Sequence, residues 1–113
     1  MQIKVISADF AVAGQLDAAA LAGLAESGFK SVINNRPDGE GGPQQPSARE
    51  LEQSARAAGL EYAHLPVSVG SIAPADIARF RALLAALPRP ILAFCASGRR
   101  SAQLYDAATA GVE

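Results

Sequence analysis

The sequence has a single cysteine, a single histidine and no apolar run long enough to cross a membrane. One cysteine excludes a disulfide bond within the chain. One cysteine and one histidine also cannot supply the ligands of a standard zinc site. We therefore expect no metal, no other cofactor and no membrane partner. The first residues, Met1 to Val5, lack the long apolar stretch of a signal peptide, so we expect a cytoplasmic protein.

The sequence also lacks an excess of charge of one sign. Ten Lys and Arg residues face eleven Asp and Glu residues, which gives a formal net charge of −1. A polybasic surface for nucleic acid is therefore not expected. Half of the 113 residues are hydrophobic and 19% are charged, a balance that can bury a real core. We expect one domain over residues 1–113.

Short apolar segments alternate with helical patterns along the chain. The predicted strands are Ile3–Ile6, Phe10–Val12, Lys30–Asn34, Leu60–Val67 and Ile91–Phe94. Helices are predicted to begin after Asp17, at Ser47 with Glu50 as a capping box, at Pro74, and from Gly98 onward. Residues 35–46 hold three prolines and three glycines and are predicted to form a loop. This order predicts a three-layer α/β sandwich with a mostly parallel central sheet.

The segment with the clearest chemistry joins the last apolar strand to the last helix. It reads Cys95-Ala96-Ser97-Gly98-Arg99-Arg100-Ser101. A helix N-terminus presents free backbone N–H groups, and small residues let the backbone curl around an anion. Arg100 adds a planar fork for an oxyanion, and the same field lowers a thiol pKa. We predict that Cys95 is a thiolate nucleophile and that residues 96–101 form an anion-binding loop.

Each of these residues also has a simpler interpretation. Cys95 could be a small buried hydrophobe at a strand end. Arg99 is better interpreted as a solvated charge that faces outward. His64, in a predicted strand, is more often structural than catalytic.

A second informative segment, Asn34 to Glu40, follows another predicted strand. In a parallel sheet it emerges at the same edge as Cys95, so a carboxylic acid there could protonate a leaving group. Asp38 is therefore a candidate general acid. The alternative is a simple turn, because Pro37-Asp38-Gly39 is a common turn tripeptide.

Three stretches together resemble a known family: Val32 to Glu40, Leu65-Pro66-Val67, and the Cys95 loop with Gly98, Arg100 and Ser101. They are similar to the phosphatase-like domain of the beta-lactamase hydrolase-like proteins, a bacterial domain. The resemblance implies a fold similar to the protein tyrosine and dual-specificity phosphatases. It also implies that Cys95 is the nucleophile and that Arg100 binds phosphate.

The chain departs from those phosphatases in three places. Residues 96–99 separate Cys95 from Arg100, one residue fewer than in those enzymes, and Phe94 stands where they usually have histidine. Ser68-Val69-Gly70 stands where their general acid often lies, and Asp76 belongs to a predicted helix start. Asp38 is then the candidate acid by elimination.

Three functions follow as hypotheses. The first is a cysteine-dependent phosphatase that hydrolyses a phosphomonoester through a phosphocysteine, with a phosphorylated small molecule or a phosphoprotein as its partner. The second is sulfur transfer through a Cys95 persulfide, because the shorter loop is similar to that of the rhodanese sulfurtransferases. The third is a non-catalytic anion-binding or regulatory module.

Overall fold

A central five-stranded sheet carries helices on both faces in this computed structural model, which describes residues 2–110. The elements are β1 (Ile3–Ser7), β2 (Phe10–Ala13), α1 (Ala18–Glu26), β3 (Ser31–Asn34), α2 (Ala48–Ala57), β4 (Glu61–His64), α3 (Pro74–Ala86), β5 (Ile91–Phe94) and α4 (Arg99–Thr109). The strand order is β1-β2-β5-β3-β4. Only β1 is antiparallel to its neighbour. The predicted three-layer α/β sandwich with a mostly parallel sheet is confirmed.

Strand β5 lies at the centre of the sheet and is fully buried on both faces. Leu92 and Phe94 pack in the core beneath α1 and α2, whereas Ile91 and Ala93 pack in the core beneath α3 and α4. A strand buried on both faces has to be apolar at every position, as β5 is. Among residues 2–110, every helix falls short of the length and hydrophobicity that a bilayer crossing requires.

The predicted helix starts are confirmed by their caps. Asp17 Oδ1 accepts a hydrogen bond from Ala20 N at 2.8 Å at the start of α1. Ser47 and Glu50 form the capping box of α2. Pro74 is the first residue of α3, and Asp76 accepts from Ala73 N there. Each cap satisfies backbone N–H groups that have no partner inside the helix.

One predicted strand is shorter than the sequence indicated. The prediction of a strand over Leu60–Val67 is wrong at both ends, because β4 covers only Glu61–His64. Pro66 has no N–H to donate to a strand ladder. On either side of it, Leu65 N donates to Asn34 O at 2.9 Å and Val67 N donates to Asn35 O at 3.0 Å. Residues 65–67 are therefore hydrogen-bonded to the last residue of β3, Asn34, and to Asn35, which follows it.

Candidate active site

The carboxyl ends of three parallel strands bring the informative segments to one edge of the sheet. In the register of the sheet, Asn34 at the end of β3 lies between Phe94 of β5 and His64 of β4. The segment 35–40, the segment 65–67 and the Cys95 loop all follow directly. Ligands of open α/β sheets bind at this edge.

The Cys95 loop surrounds a buried sulfur atom. Cys95 is 0% exposed, and Gly98 N donates to its Sγ at 3.1 Å. Burial alone would raise the pKa of the Cys95 thiol. Hydrogen bonds from the backbone N–H groups of Ser101, Ser97, Gly98 and Arg100 together outweigh burial and lower that pKa. The ring of N–H groups thus favours a thiolate.

Gly98 is needed both for its backbone conformation and for its size. Its φ of 90° is left-handed, and it caps the N-terminus of α4. A Cβ atom there would lie 3.2 Å from Ala13 O at the end of β2. The loop is therefore packed backbone against backbone on β2, which fixes where its N–H groups point.

Arg100 is held beside the loop by a partly buried ion pair. Its Nη1 donates to Glu40 Oε2 at 2.8 Å, and its Nη2 donates to Glu40 Oε1 at 2.7 Å. The Arg100 side chain is 7% exposed and that of Glu40 is 24% exposed. The hydrogen bonds raise the pKa of Arg100 and lower the pKa of Glu40, so both groups remain charged.

The remaining donors of Arg100 define a free edge. Nη1 also donates to Val67 O at 2.9 Å, so both of its hydrogens are used. Glu40 occupies the end of the guanidinium. Among residues 2–110, no oxygen atom accepts from Nε or from the second hydrogen of Nη2, and the Cys95 side chain is near enough to help raise the pKa of Arg100. Guanidinium edges of this kind bind oxyanions through two parallel hydrogen bonds.

A second arginine and two amides support this pair. Arg36 Nε donates to Glu40 Oε1 at 2.9 Å, and Arg36 Nη1 donates to Gln15 Oε1 at 3.1 Å. Asn35 is 0% exposed, donates to Leu65 O at 3.0 Å and accepts from Ser101 Oγ at 2.8 Å. Local sequence patterns did not indicate roles for Gln15 and Asn35, or the bond between Glu40 and Arg100. The one available signal was a run of polar residues directly after the buried strand β3.

The other predicted residues lie in different surroundings. Asp38 Oδ1 accepts from Ala48 N at 2.7 Å, at the first residue of α2. Arg99 is exposed, whereas Arg100 is buried. His64 Nε2 lies 2.9 Å from Arg36 O. The structure thus brings Cys95, Arg100 and Glu40 together, while the carboxylate of Asp38 contacts the helix start. Its role as an acid stays a prediction.

These contacts determine which chemistry the site could support. The Cys95 thiol, whose pKa is lowered, lies at the base of a ring of backbone N–H groups, and the guanidinium of Arg100 lies beside the loop. Residues 2–110 contain no cluster of three or more His, Cys, Asp and Glu side chains that could hold a metal ion. The arrangement is suited to holding a small anion against a nucleophilic sulfur.

We predict that Cys95 titrates below the ordinary thiol value of about 8.5. The thiolate absorbance in the ultraviolet, recorded against pH with Cys95→Ser as the blank, measures this pKa. Because the folded-state pKa is lowered, the stability that the thiolate contributes is present above the unfolded pKa. It is lost as the pH falls through the folded value. An inflection at or above about 8.5 would contradict the prediction.

We predict that Arg100→Lys weakens sulfate binding about tenfold or more, because lysine cannot replace a two-bond guanidinium edge. Arg99→Lys is the matched control and should have a smaller effect, since Arg99 is exposed. Isothermal titration calorimetry with sulfate measures both. Equal losses in the two variants would show that Arg100 is not the inward-facing anion ligand.

The chain has clear relatives of known sequence. It is 41% identical over 105 residues to the beta-lactamase hydrolase-like protein of Agrobacterium fabrum, and 39% identical to that of Xylella fastidiosa. These matches cover 93% of this chain and 24% of each relative, so the chain spans about a quarter of their length.

Solved structures share the same architecture. A proposed phosphatase from Neisseria meningitidis superposes with a TM-score of 0.86 at 32% identity, over 93% of this chain and 74% of that one. The core catalytic domain of a PP-IP phosphatase from S. cerevisiae shares the fold at 16% identity, with a TM-score of 0.69 over 90% and 60% of the two chains. An active-form structure of Tk-PTP also shares the fold, with a TM-score of 0.63.

The family comparison agrees with the geometry and confirms the expected resemblance. The model of the beta-lactamase hydrolase-like protein, phosphatase-like domain, matches residues 2–112. The chain therefore belongs to the family of phosphatase-like domains of beta-lactamase hydrolase-like proteins.

Proposed function

We propose that the chain hydrolyses phosphomonoesters through a phosphocysteine formed on Cys95. The observation that carries this proposal is that one sheet edge holds both Cys95, whose sulfur accepts from the backbone N–H of Gly98 and whose pKa is lowered, and the buried guanidinium of Arg100. The N–H ring and the guanidinium edge would hold the equatorial oxygens of a phosphoryl group. The substrate would be a phosphorylated small molecule or a phosphoprotein.

The proposed reaction has two steps. The Cys95 thiolate attacks phosphorus in line, so that an S–P bond forms and the bond to the leaving oxygen breaks. The leaving oxygen takes a proton from a general acid. Water then attacks the phosphocysteine, the S–P bond breaks, and inorganic phosphate leaves while the thiolate is restored. No metal enters either step.

The two carboxylates that could serve as the general acid, Asp38 and Glu40, differ in their surroundings. Hydrogen bonds from Arg100 and Arg36 lower the pKa of Glu40, so Glu40 remains ionised and is unsuited to donating a proton. We assign Glu40 a positioning role on Arg100. Asp38 remains our candidate acid, and one of its oxygens is engaged with Ala48 N.

A second candidate function is favoured by the size of the loop. The backbone N–H groups of Ser97, Gly98, Arg100 and Ser101 converge on the sulfur itself, and Cys95 is 0% exposed. Such a tight ring suits the outer sulfur atom of a persulfide. In this alternative, Cys95 would attack the outer sulfur of thiosulfate, sulfite would leave, and cyanide would accept the sulfur as thiocyanate.

We predict turnover of an aryl phosphate and none of thiosulfate with cyanide, both measured on the same preparation. Rapid quenching followed by mass spectrometry should show Cys95 carrying a phosphoryl group, because the thiolate is the attacking atom. Cys95→Ser should abolish turnover. Thiosulfate turnover with a persulfide on Cys95, and no phosphate release, would replace the phosphatase proposal with sulfur transfer.

We predict different leaving-group dependences for the two carboxylate variants. Asp38→Asn should slow hydrolysis of an alkyl phosphate by about 10²–10⁴-fold, yet affect an activated aryl phosphate far less, because a good leaving group needs no acid. Glu40→Gln should slow both substrates similarly, since it alters the position of Arg100. Initial rates with both substrates, together with thermal unfolding of each variant, provide the measurement.

Equal losses on both substrates in Asp38→Asn, accompanied by a lower unfolding temperature, would assign Asp38 to capping of α2 alone. A selective loss on the alkyl substrate in Glu40→Gln would assign the acid to Glu40 instead.

A further inference from the structure

A cleft of about 930 Å³ lies directly beside the Cys95 loop. Its walls come from the start of β1, from the end of β2 with the residues after it, and from the Cys95 loop with the first turn of α4. They are residues 2–4, 12–16, 96–99 and 102. Arg100 and Glu40 do not line the cleft, because they approach the loop from the side of β3 and β4. The Cys95 loop is therefore bordered by the cleft on the β2 side and by the ion pair on the side of β3 and β4.

The charged side chains that line the cleft are all positive. Lys4 and Arg99 line it and are both exposed, and no Asp or Glu is among the lining residues. Within residues 2–110, neither cation takes part in a salt bridge. Gln2, Gln15 and Ser97 add neutral hydrogen-bonding groups, and no aromatic side chain lines this space. Such a lining attracts a polar anion and offers no flat surface for an aromatic ring.

The cleft is fixed in position relative to the loop. Gln15 N donates to Ala96 O at 3.3 Å, and Cys95 N donates to Ala13 O at 3.3 Å. A Cβ atom on Gly14 would lie 3.0 Å from Ala96 O, so the two backbones are already in close contact. Gln15 also accepts from Arg36, which contacts Glu40. A ligand held in the cleft is thus held at a set distance from Cys95.

From these observations we infer that the cleft binds the remainder of the substrate and recognises a second anionic group on it through Lys4 and Arg99. This inference rests on the proposed phosphatase function and narrows its substrate class. The substrate is a small molecule that carries a second phosphate or carboxylate besides the scissile phosphate, rather than a phosphotyrosine side chain. The volume of the cleft lies in the range of small-molecule sites.

Two non-hydrolysable ligands test the inference on the wild-type protein. Butylphosphonate carries one anionic group, and butane-1,4-diphosphonate carries two on the same carbon chain. Isothermal titration calorimetry should show the diphosphonate binding about tenfold more tightly, since charge-assisted hydrogen bonds add at the second group. The double variant Lys4→Gln with Arg99→Gln should bring the ratio of the two dissociation constants close to one.

Lys30→Gln and Arg79→Gln are the matched controls, because both residues are exposed cations that do not line the cleft. They should leave the ratio unchanged. Equal binding of the two phosphonates, or a ratio that survives in the double variant, would overturn this inference alone. A phosphotyrosine peptide that binds more tightly than the diphosphonate would overturn it as well. Failure of both phosphonates to bind would overturn the proposed function, and this inference with it.

Discussion

The ion pair between Arg100 and Glu40 is the contact on which the rest of the site depends. The two residues are 60 positions apart in sequence, and the guanidinium is almost completely buried. A buried cation without a partner is strongly unfavourable, whereas a bidentate carboxylate and a backbone carbonyl satisfy most of its donors. Glu40 and Val67 therefore determine where Arg100 can lie, and they leave one edge of its guanidinium without an oxygen acceptor.

The same contacts connect three loops that the sheet alone would only place near each other. The Asn35 side chain donates to Leu65 O and accepts from Ser101 Oγ. Val67 N donates to Asn35 O, and Val67 O accepts from Arg100 Nη1. Each of these groups is buried and polar, so the loss of one partner leaves another unsatisfied. The geometry of the three loops is therefore cooperative, because buried polar groups from each loop satisfy those of the others.

Much of the fold and part of the site could be predicted from local sequence patterns. The strand Ile91–Phe94 is apolar at every position, and the capping box at Ser47 marks a helix start without reference to the rest of the chain. The Cys95 loop could be recognised because its small residues and arginine are contiguous. The extent of β4 could not be predicted in the same way, because Leu65 and Val67 keep strand-like hydrogen bonds to the chain after β3 although the strand has ended.

The sequence by itself determined the order of the elements, the position of the thiol at the end of a buried strand, and the glycine that lets the loop turn. These features depend on residues close together along the chain, where spacing and side-chain type are sufficient. Only the tertiary structure decided that Glu40 contacts Arg100 while Asp38 caps α2, and that Lys4 and Arg99 line one cleft. Those pairings join distant segments that the order of the strands brings together. The buried guanidinium of Arg100 in addition requires a carboxylate partner, which only the fold supplies.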